Sequence, residues 1–405
     1  MGSASFIFII VAIDRTCSRI MEDNESRARW TVGSKNFVLY NALISDGDEE
    51  DYKPPNLTAC AMLLDAPIVA LLPPNFLPPQ PTPTPPTFYV ADAGFKGAGM
   101  FAARDIPAGS LILCDRPIAV VPSEVSAPWK REAFDALIPR ISLKSRALLL
   151  DLANCKPVSE HPVVEGIALT NAFGITLPVP PDASPQEYGG AFPNISRANH
   201  ACGLNTAVKW DLQSFSVSMY ALRDVRAGEE IFNQYIDVLA PREVRRAQLA
   251  RYGFECTCRH CNLPDEAAVS RSDAARAELR DWRSLHPRYL PWSTDMCRED
   301  DVVIVSNLRA LELIEQEGLH GMQVPFIEEI AMSYALLDDE SNFRIWARKV
   351  VVLCAGQDPE RAQKFSRWLE NPKSFKQWGW RAKQRALLGK RSENDTEEAD
   401  MSIPW

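Results

Sequence analysis

No apolar run in this 405-residue chain is long enough to cross a bilayer. The stretch Phe6–Ile13 has eight apolar residues, where a spanning helix needs about 20. No basic residue precedes it and no small-residue cleavage site follows, so it reads as a buried strand or an unstructured leader rather than a secretory signal. Positive charge is scarce too: 44 Lys and Arg face 53 Asp and Glu, and the formal net charge is −9. No basic stripe stands out to neutralise phosphates, which argues against a nucleic-acid binder. Over this length −9 is ordinary solubility charge, and it would also suit a basic peptide such as a histone tail.

Cysteine is thinly spread. Of ten, seven are scattered at positions 17, 60, 114, 155, 202, 297 and 354, and three crowd into Cys256, Cys258 and Cys261. A secreted disulfide framework would be denser and its chain shorter. Clustered thiols in a long chain read instead as a metal site in a reducing compartment, the nucleus, the cytoplasm or both. No paired His-x₃-His accompanies them, so they do not form a nucleic-acid finger.

What is present is a globular composition, 46% hydrophobic, in a chain long enough for two or three domains. Residues 1–86 read as an irregular segment with an acidic run at Asp46–Asp51, ending in a proline-rich stretch, Pro73 to Pro86, that reads as a stiff linker, with a ligand for an SH3-type domain as the alternative. Regular structure is expected from Phe88. Strands follow over 111–121 around Pro117, then helical spacing from Trp129 to Asn154. Alternation through Val208, Trp210, Phe215, Val217 and Met219 about a Gln213-Ser214 turn predicts a hairpin. Pro241 is placed to open a helix over Arg242–Arg251. Beyond Pro264 five helices are expected, Ala267–Leu285, Asp301–Gln316, Val324–Leu337, Phe343–Ala355 and Pro359–Leu369, with Gly318 and Gly356 as stops. They suggest a repeat-like array without a clean period of 34. A polar tail is expected from Lys373.

Two linked signatures carry chemistry. The first is Arg197-Ala198-Asn199-His200-Ala201-Cys202-Gly203-Leu204-Asn205. The second is Gly228-Glu229-Glu230-Ile231-Phe232-Asn233-Gln234-Tyr235, followed by Tyr252-Gly253-Phe254-Glu255-Cys256-Thr257-Cys258-Arg259-His260-Cys261. Upstream stand Lys96-Gly97-Ala98-Gly99-Met100-Phe101-Ala102 and Asp105-Ile106-Pro107-Ala108-Gly109. In this order the motifs resemble those of SET-domain protein-lysine methyltransferases. The resemblance covers Phe88 to Cys261. It implies an α+β chain: a SET-domain β-fold with a knot-like crossing over 87–237, a post-SET zinc loop over 238–264, and a C-terminal α-helical domain over 265–372, with a polar tail over 373–405. No cysteine-rich MYND finger lies between Pro117 and Asn171, so the chain looks like a MYND-less relative of the SET/MYND subfamily.

The resemblance further implies an enzyme that moves a methyl group from S-adenosylmethionine to a lysine amine of a protein substrate, histone tails among the candidates, without a membrane or nucleic-acid partner. Lys96, Gly97, Ala98 and Gly99 would receive the methionine end of the cofactor, Asn199 and His200 its adenosine part, with Asn171 a further contact. Tyr235 would be the active-site tyrosine, Tyr252 would wall the lysine channel, and Phe254 would cover the adenine. A structural zinc needs four ligands; Cys256, Cys258 and Cys261 supply three, and the family implies Cys202 as the fourth, with His260 a rival. Ala201 and Leu204 depart from the family's Asn-His-Ser-Cys-x-Pro-Asn and imply a looser crossing. The alternative reading is a catalytically weak SET-fold scaffold.

Overall fold

The structure is a computed structural model that describes residues 19–20, 29–32, 35–42, 60–73, 76–123, 125, 127–181 and 186–388. The apolar segment Phe6–Ile13, the acidic run Asp46–Asp51 and residues 389–405 lie outside it. Among the described residues, three sheets and a helical C-terminal region make an α+β fold. Among the described residues no helix is long and apolar enough to cross a membrane.

The largest sheet corrects the reading of residues 1–86 as irregular. Arg29–Val32, Lys35–Ala42 and Cys60–Asp65 are strands that join Ala119–Pro122, Tyr188–Ala191 and Phe173–Ile175. Side chains on a strand alternate between its faces. Cys60, Met62 and Leu64 therefore enter one core with Met100, Ile112 and Phe215, while Ala61 and Leu63 enter another with Trp129, Phe134, Val164 and Ile167. A strand buried on both faces shows no polar alternation, so the short run Cys60–Leu64 carries little signal of its own. The helices covering the second face are Lys130–Asp135, Leu143–Leu150 and Val163–Asn171. Ser142 ends the expected continuous helix by capping the next one, its hydroxyl accepting from the Ser145 amide at 3.1 Å.

The proline-rich stretch is likewise no free linker. The Leu77 amide donates to the Gln213 carbonyl at 2.7 Å, and Phe76 packs 4.6 Å from the Phe215 ring. Gln80 accepts from the Tyr220 hydroxyl at 2.9 Å. Chain without ladder donors is tied down through carbonyls and side chains, as a strap over the three-stranded sheet of Leu111–Asp115, Thr206–Asp211 and Ser216–Ala221.

The expected hairpin is there, with Asp211 opposite Ser216. The five C-terminal helices run Glu266–Arg280, Val302–Glu317, Gln323–Leu336, Glu340–Cys354 and Pro359–Glu370. Asp265, Asp339 and Asp358 accept first-turn amides, and Gly318 ends its helix in the left-handed region at φ 64°. The first expected helix stops five residues short, at Arg280, and the short helices Trp282–Leu285 and Tyr289–Thr294 follow. Nor does the chain loosen at Lys373: residues 380–388 are helical, and Arg381 is buried, donating to the Trp292 and Asp295 carbonyls at 2.5 and 2.9 Å and pairing with Asp300 at 2.7 Å. A polar-looking segment is thus held by one buried guanidinium that spends its donors on carbonyls.

Candidate active site and metal centre

A four-stranded sheet builds the floor of the site. Its order is Asn199–His200, Glu230–Asn233, Ala98–Ala102, Phe88–Asp92. The first two strands run parallel, which sets Asn199 beside Phe232 and His200 beside Asn233. Asn205 ties them from behind: its amide donates to the Glu230 carbonyl at 2.9 Å, and its side-chain oxygen accepts from the Phe232 amide at 2.7 Å.

Gly97 has φ 74°, a conformation that favours glycine. Gly99 is needed for a different reason. A Cβ there would stand 2.8 Å from the Ala93 Cβ and 3.0 Å from both the Asn199 amide nitrogen and a Glu230 carboxylate oxygen. Lys96 ion-pairs with Glu230 and lies 4.8 Å from the Phe232 ring centre. Asn199 donates to the Ala98 carbonyl at 3.2 Å and to Glu230 at 3.0 Å. Lys96, the glycine turn and Asn199 therefore meet, and they meet at Glu230, a residue the sequence reading left without a role. A carboxylate opening a strand whose next two residues, Ile231 and Phe232, are apolar was the available signal.

Tyr235 is half-buried, donating its hydroxyl to the Ala198 carbonyl at 3.0 Å. Its ring lies 5.5 Å from His200 and 5.1 Å from Tyr252. Lost hydration, with the neighbouring Tyr252 and Glu230, pushes its phenol above the usual range, so it stays protonated and can donate. Tyr252 and Phe254 pack beside Tyr235, Cys256 and Cys258. Asn171 is used otherwise: its amide donates to the Ala153 and Ile167 carbonyls at 2.6 and 2.8 Å, and only its main-chain carbonyl reaches toward the motif, accepting from Ser196 at 3.1 Å.

The Sγ atoms of Cys202, Cys256, Cys258 and Cys261 lie within 4.8 Å of one another, an arrangement that could hold a metal ion. Hydrogen bonds from the other three hold the Cys258 thiol far below its ordinary value. Buried Arg245 turns one guanidinium nitrogen to within 4.0 Å of the Cys261 sulfur and donates to the Ala240 and His260 carbonyls at 2.6 and 3.1 Å. The rival ligand is not in the cluster. His260 accepts from Arg259 at 2.9 Å and faces Glu317 at 3.8 Å. His200 belongs to the same knot: its Nδ1 accepts from the Tyr235 amide at 3.2 Å, which leaves Nε2 to donate to the Cys202 sulfur at 3.4 Å. Burial pushes it down to about 4, so it is neutral at physiological pH.

The helical region braces this centre. Arg276, fully buried, donates to Glu317 at 2.9 Å and to the Cys202 carbonyl at 3.2 Å, and Ser272 donates to the same Glu317 carboxylate at 2.7 Å. Leu204 is buried among Leu222, Val238, Leu279 and Leu319. The residue that departs from the family pattern is thus packed on the helical region, which runs against the looser crossing expected of it. Glu317→Ala should cost about 2 kcal/mol, because Arg276 keeps its carbonyl partners but loses its counter-charge. Denaturant unfolding checks this, and an unchanged midpoint would show the brace to be ornamental.

Residues 97–236 match the SET domain family. The histone-lysine N-methyltransferase set5 of Schizosaccharomyces pombe is 27% identical over 285 residues, 69% of this chain and 82% of the relative. N-lysine methyltransferase SMYD2-B of Xenopus laevis is 34% identical over 115 residues, 28% of this chain and 24% of the relative. Human histone-lysine N-methyltransferase SMYD3 is 30% identical over 141 residues, 34% of this chain and 31% of the relative. The chain thus spans most of the first relative but a third or less of the two SMYD proteins.

Proposed function

We propose, for a chain that belongs to the SET-domain protein-lysine methyltransferases, that methyl transfer takes place over the Asn199–His200 and Glu230–Asn233 strands, against the Gly97–Gly99 turn. The observation carrying this is the convergence of Lys96, Gly99, Asn199 and Tyr235 about that floor, with the thiol cluster, Cys202 included, next to His200. The residues fit the cofactor: at Gly99 a side chain would fill the cradle, and Lys96 provides a cation for a carboxylate. Bound S-adenosylmethionine supplies an activated methyl on a sulfonium, with a neutral thioether as the leaving group.

Lys96, Gly97, Ala98 and Gly99 receive the methionine end, and the main chain at Asn199 and His200 the adenosine. Asn171 acts through its carbonyl to Ser196, as a positioning residue. Tyr235 and Tyr252 form a narrow, apolar channel that strips water from the entering lysine. Desolvation favours its neutral amine, and the Tyr235 hydroxyl aligns the reacting centre. Phe254 covers the adenine. Cys202, Cys256, Cys258 and Cys261 hold one structural zinc that pins this wall in place. The substrate is a protein, and the names of set5 and SMYD3 make histones the first to try. Reduced, metal-ready thiols suit the nucleus or cytoplasm. The scaffold alternative is not favoured, because the matched SET domain and the relatives named as lysine methyltransferases support the enzyme.

Calorimetric titration with S-adenosylmethionine, followed by tritium-methyl transfer to histones and a whole-cell extract, tests the proposal. Gly99→Val should weaken cofactor binding at least about 100-fold, as it displaces Asn199 and Glu230 together, some 3 kcal/mol. Unchanged affinity would make the glycine turn only a turn.

A further inference from the structure

Glu230 stands at the meeting point of the cofactor groups and is not consumed by the fold. Its neighbour Glu229 is: it pairs with Arg223 and accepts from the Arg226 amide at 3.1 Å, closing the turn before the strand. Glu230 instead projects onto the glycine turn. One carboxylate oxygen accepts from Asn199 at 3.0 Å, the other meets Lys96, and the first is the atom 3.0 Å from the absent Gly99 side chain. The pair is mostly shielded, with side-chain exposures of 22% for Lys96 and 13% for Glu230.

Two opposite charges side by side match an amino-acid zwitterion. A lone Lys96 would match only a carboxylate and would repel an ammonium. We infer that Lys96 and Glu230 together read the zwitterionic end of the cofactor, Lys96 donating to its α-carboxylate and Glu230 accepting from its α-ammonium. Asn199 orients Glu230 through the 3.0 Å bond, and the bare Gly99 keeps a Cβ from crowding that oxygen. Before the cofactor arrives the two side chains neutralise each other, so neither charge is buried alone. On binding, one internal pair is exchanged for two charge-assisted contacts. Glu230 is then a cofactor-binding and specificity residue that rejects adenosyl compounds lacking the amino-acid head. The inference rests on the cofactor reading above.

The test is calorimetry with four ligands on the full chain: S-adenosylmethionine, S-adenosylhomocysteine, decarboxylated S-adenosylmethionine, which keeps the ammonium alone, and 5′-methylthioadenosine, which has neither charge. Glu230→Gln should weaken the first three by about 10- to 100-fold and leave the last unchanged. Lys96→Met should weaken the first two by a similar factor and spare the decarboxylated ligand, and it decides the matter if Glu230→Gln melts early. Equal losses for S-adenosylmethionine and 5′-methylthioadenosine would make Glu230 merely structural and overturn the inference. Tighter binding of S-adenosylmethionine by Glu230→Gln would make Glu230 a competitor for Lys96, which overturns it too. A wild-type protein that binds none of the four would instead sink the cofactor reading itself.

Discussion

Protein purified without chelator is expected to carry about one zinc per chain, and stripping it should release the segment from Tyr252 to Asn262. Three of the four thiols sit on chain that has neither helix nor strand between Ala250 and Glu266, so a bound metal would be a strong tie from that chain to Cys202. Binding free energy at structural zinc sites is of the order of 10 kcal/mol, and here it is available to fold the loop. The loop carries Tyr252, whose ring lies 5.1 Å from that of Tyr235, and Phe254, which packs on the same buried cysteine cluster. Metal loss should therefore abolish methyl transfer as well as loosen the loop. Cys258→Ser should lower metal content and open the segment to protease. Metal analysis that finds no zinc would remove the metal centre and leave four thiols in a pocket without a purpose.

Tyr235→Phe should cost roughly 10²- to 10³-fold in turnover, on the order of 3 kcal/mol, with little change in cofactor affinity. The hydroxyl donates to the Ala198 carbonyl, at the head of the Asn199–His200 strand, which is where the proposed cofactor site and lysine channel would meet. Burial and the field of Glu230 keep it protonated across the working pH range, so the loss should not be recovered by raising pH. If Tyr235 only packs between His200 and Tyr252, phenylalanine would be nearly silent. Equal turnover on the substrate found by the transfer screen would take Tyr235 out of the active site.

The C-x-C-x₂-C thiols were legible from residue type and spacing, whereas Cys202 as their fourth partner and the glycine turn as a cofactor cradle came from the resemblance to SET domains. C-x-C-x₂-C needs only a fourth thiol, and the four sulfurs do converge. The hairpin over Thr206–Ala221 and the capped helices after Pro264 were legible because alternation, capping carboxylates and Gly318 are local signals. Asn171 is the instructive case among the site residues. Its position upstream of the motif invited a cofactor contact, yet its amide is spent on the Ala153 and Ile167 carbonyls, a use that no spacing announces.

By itself, then, the sequence determined the motif order and the clustering of three thiols, since these follow from residue types over short stretches of chain, and the resemblance those motifs carry pointed to the α+β class. Only the tertiary structure decided that Cys60–Asp65 is the centre of a sheet, that the proline stretch is a strap, and that Arg276 and Glu317 reach the Cys202 carbonyl. It also decided that Glu230 joins Lys96, 134 residues away, and Asn199 on one floor. Such pairings depend on which distant strands lie side by side, and side-chain type alone carries no record of that: a buried strand, a paired carboxylate and a solvated one are written with the same letters.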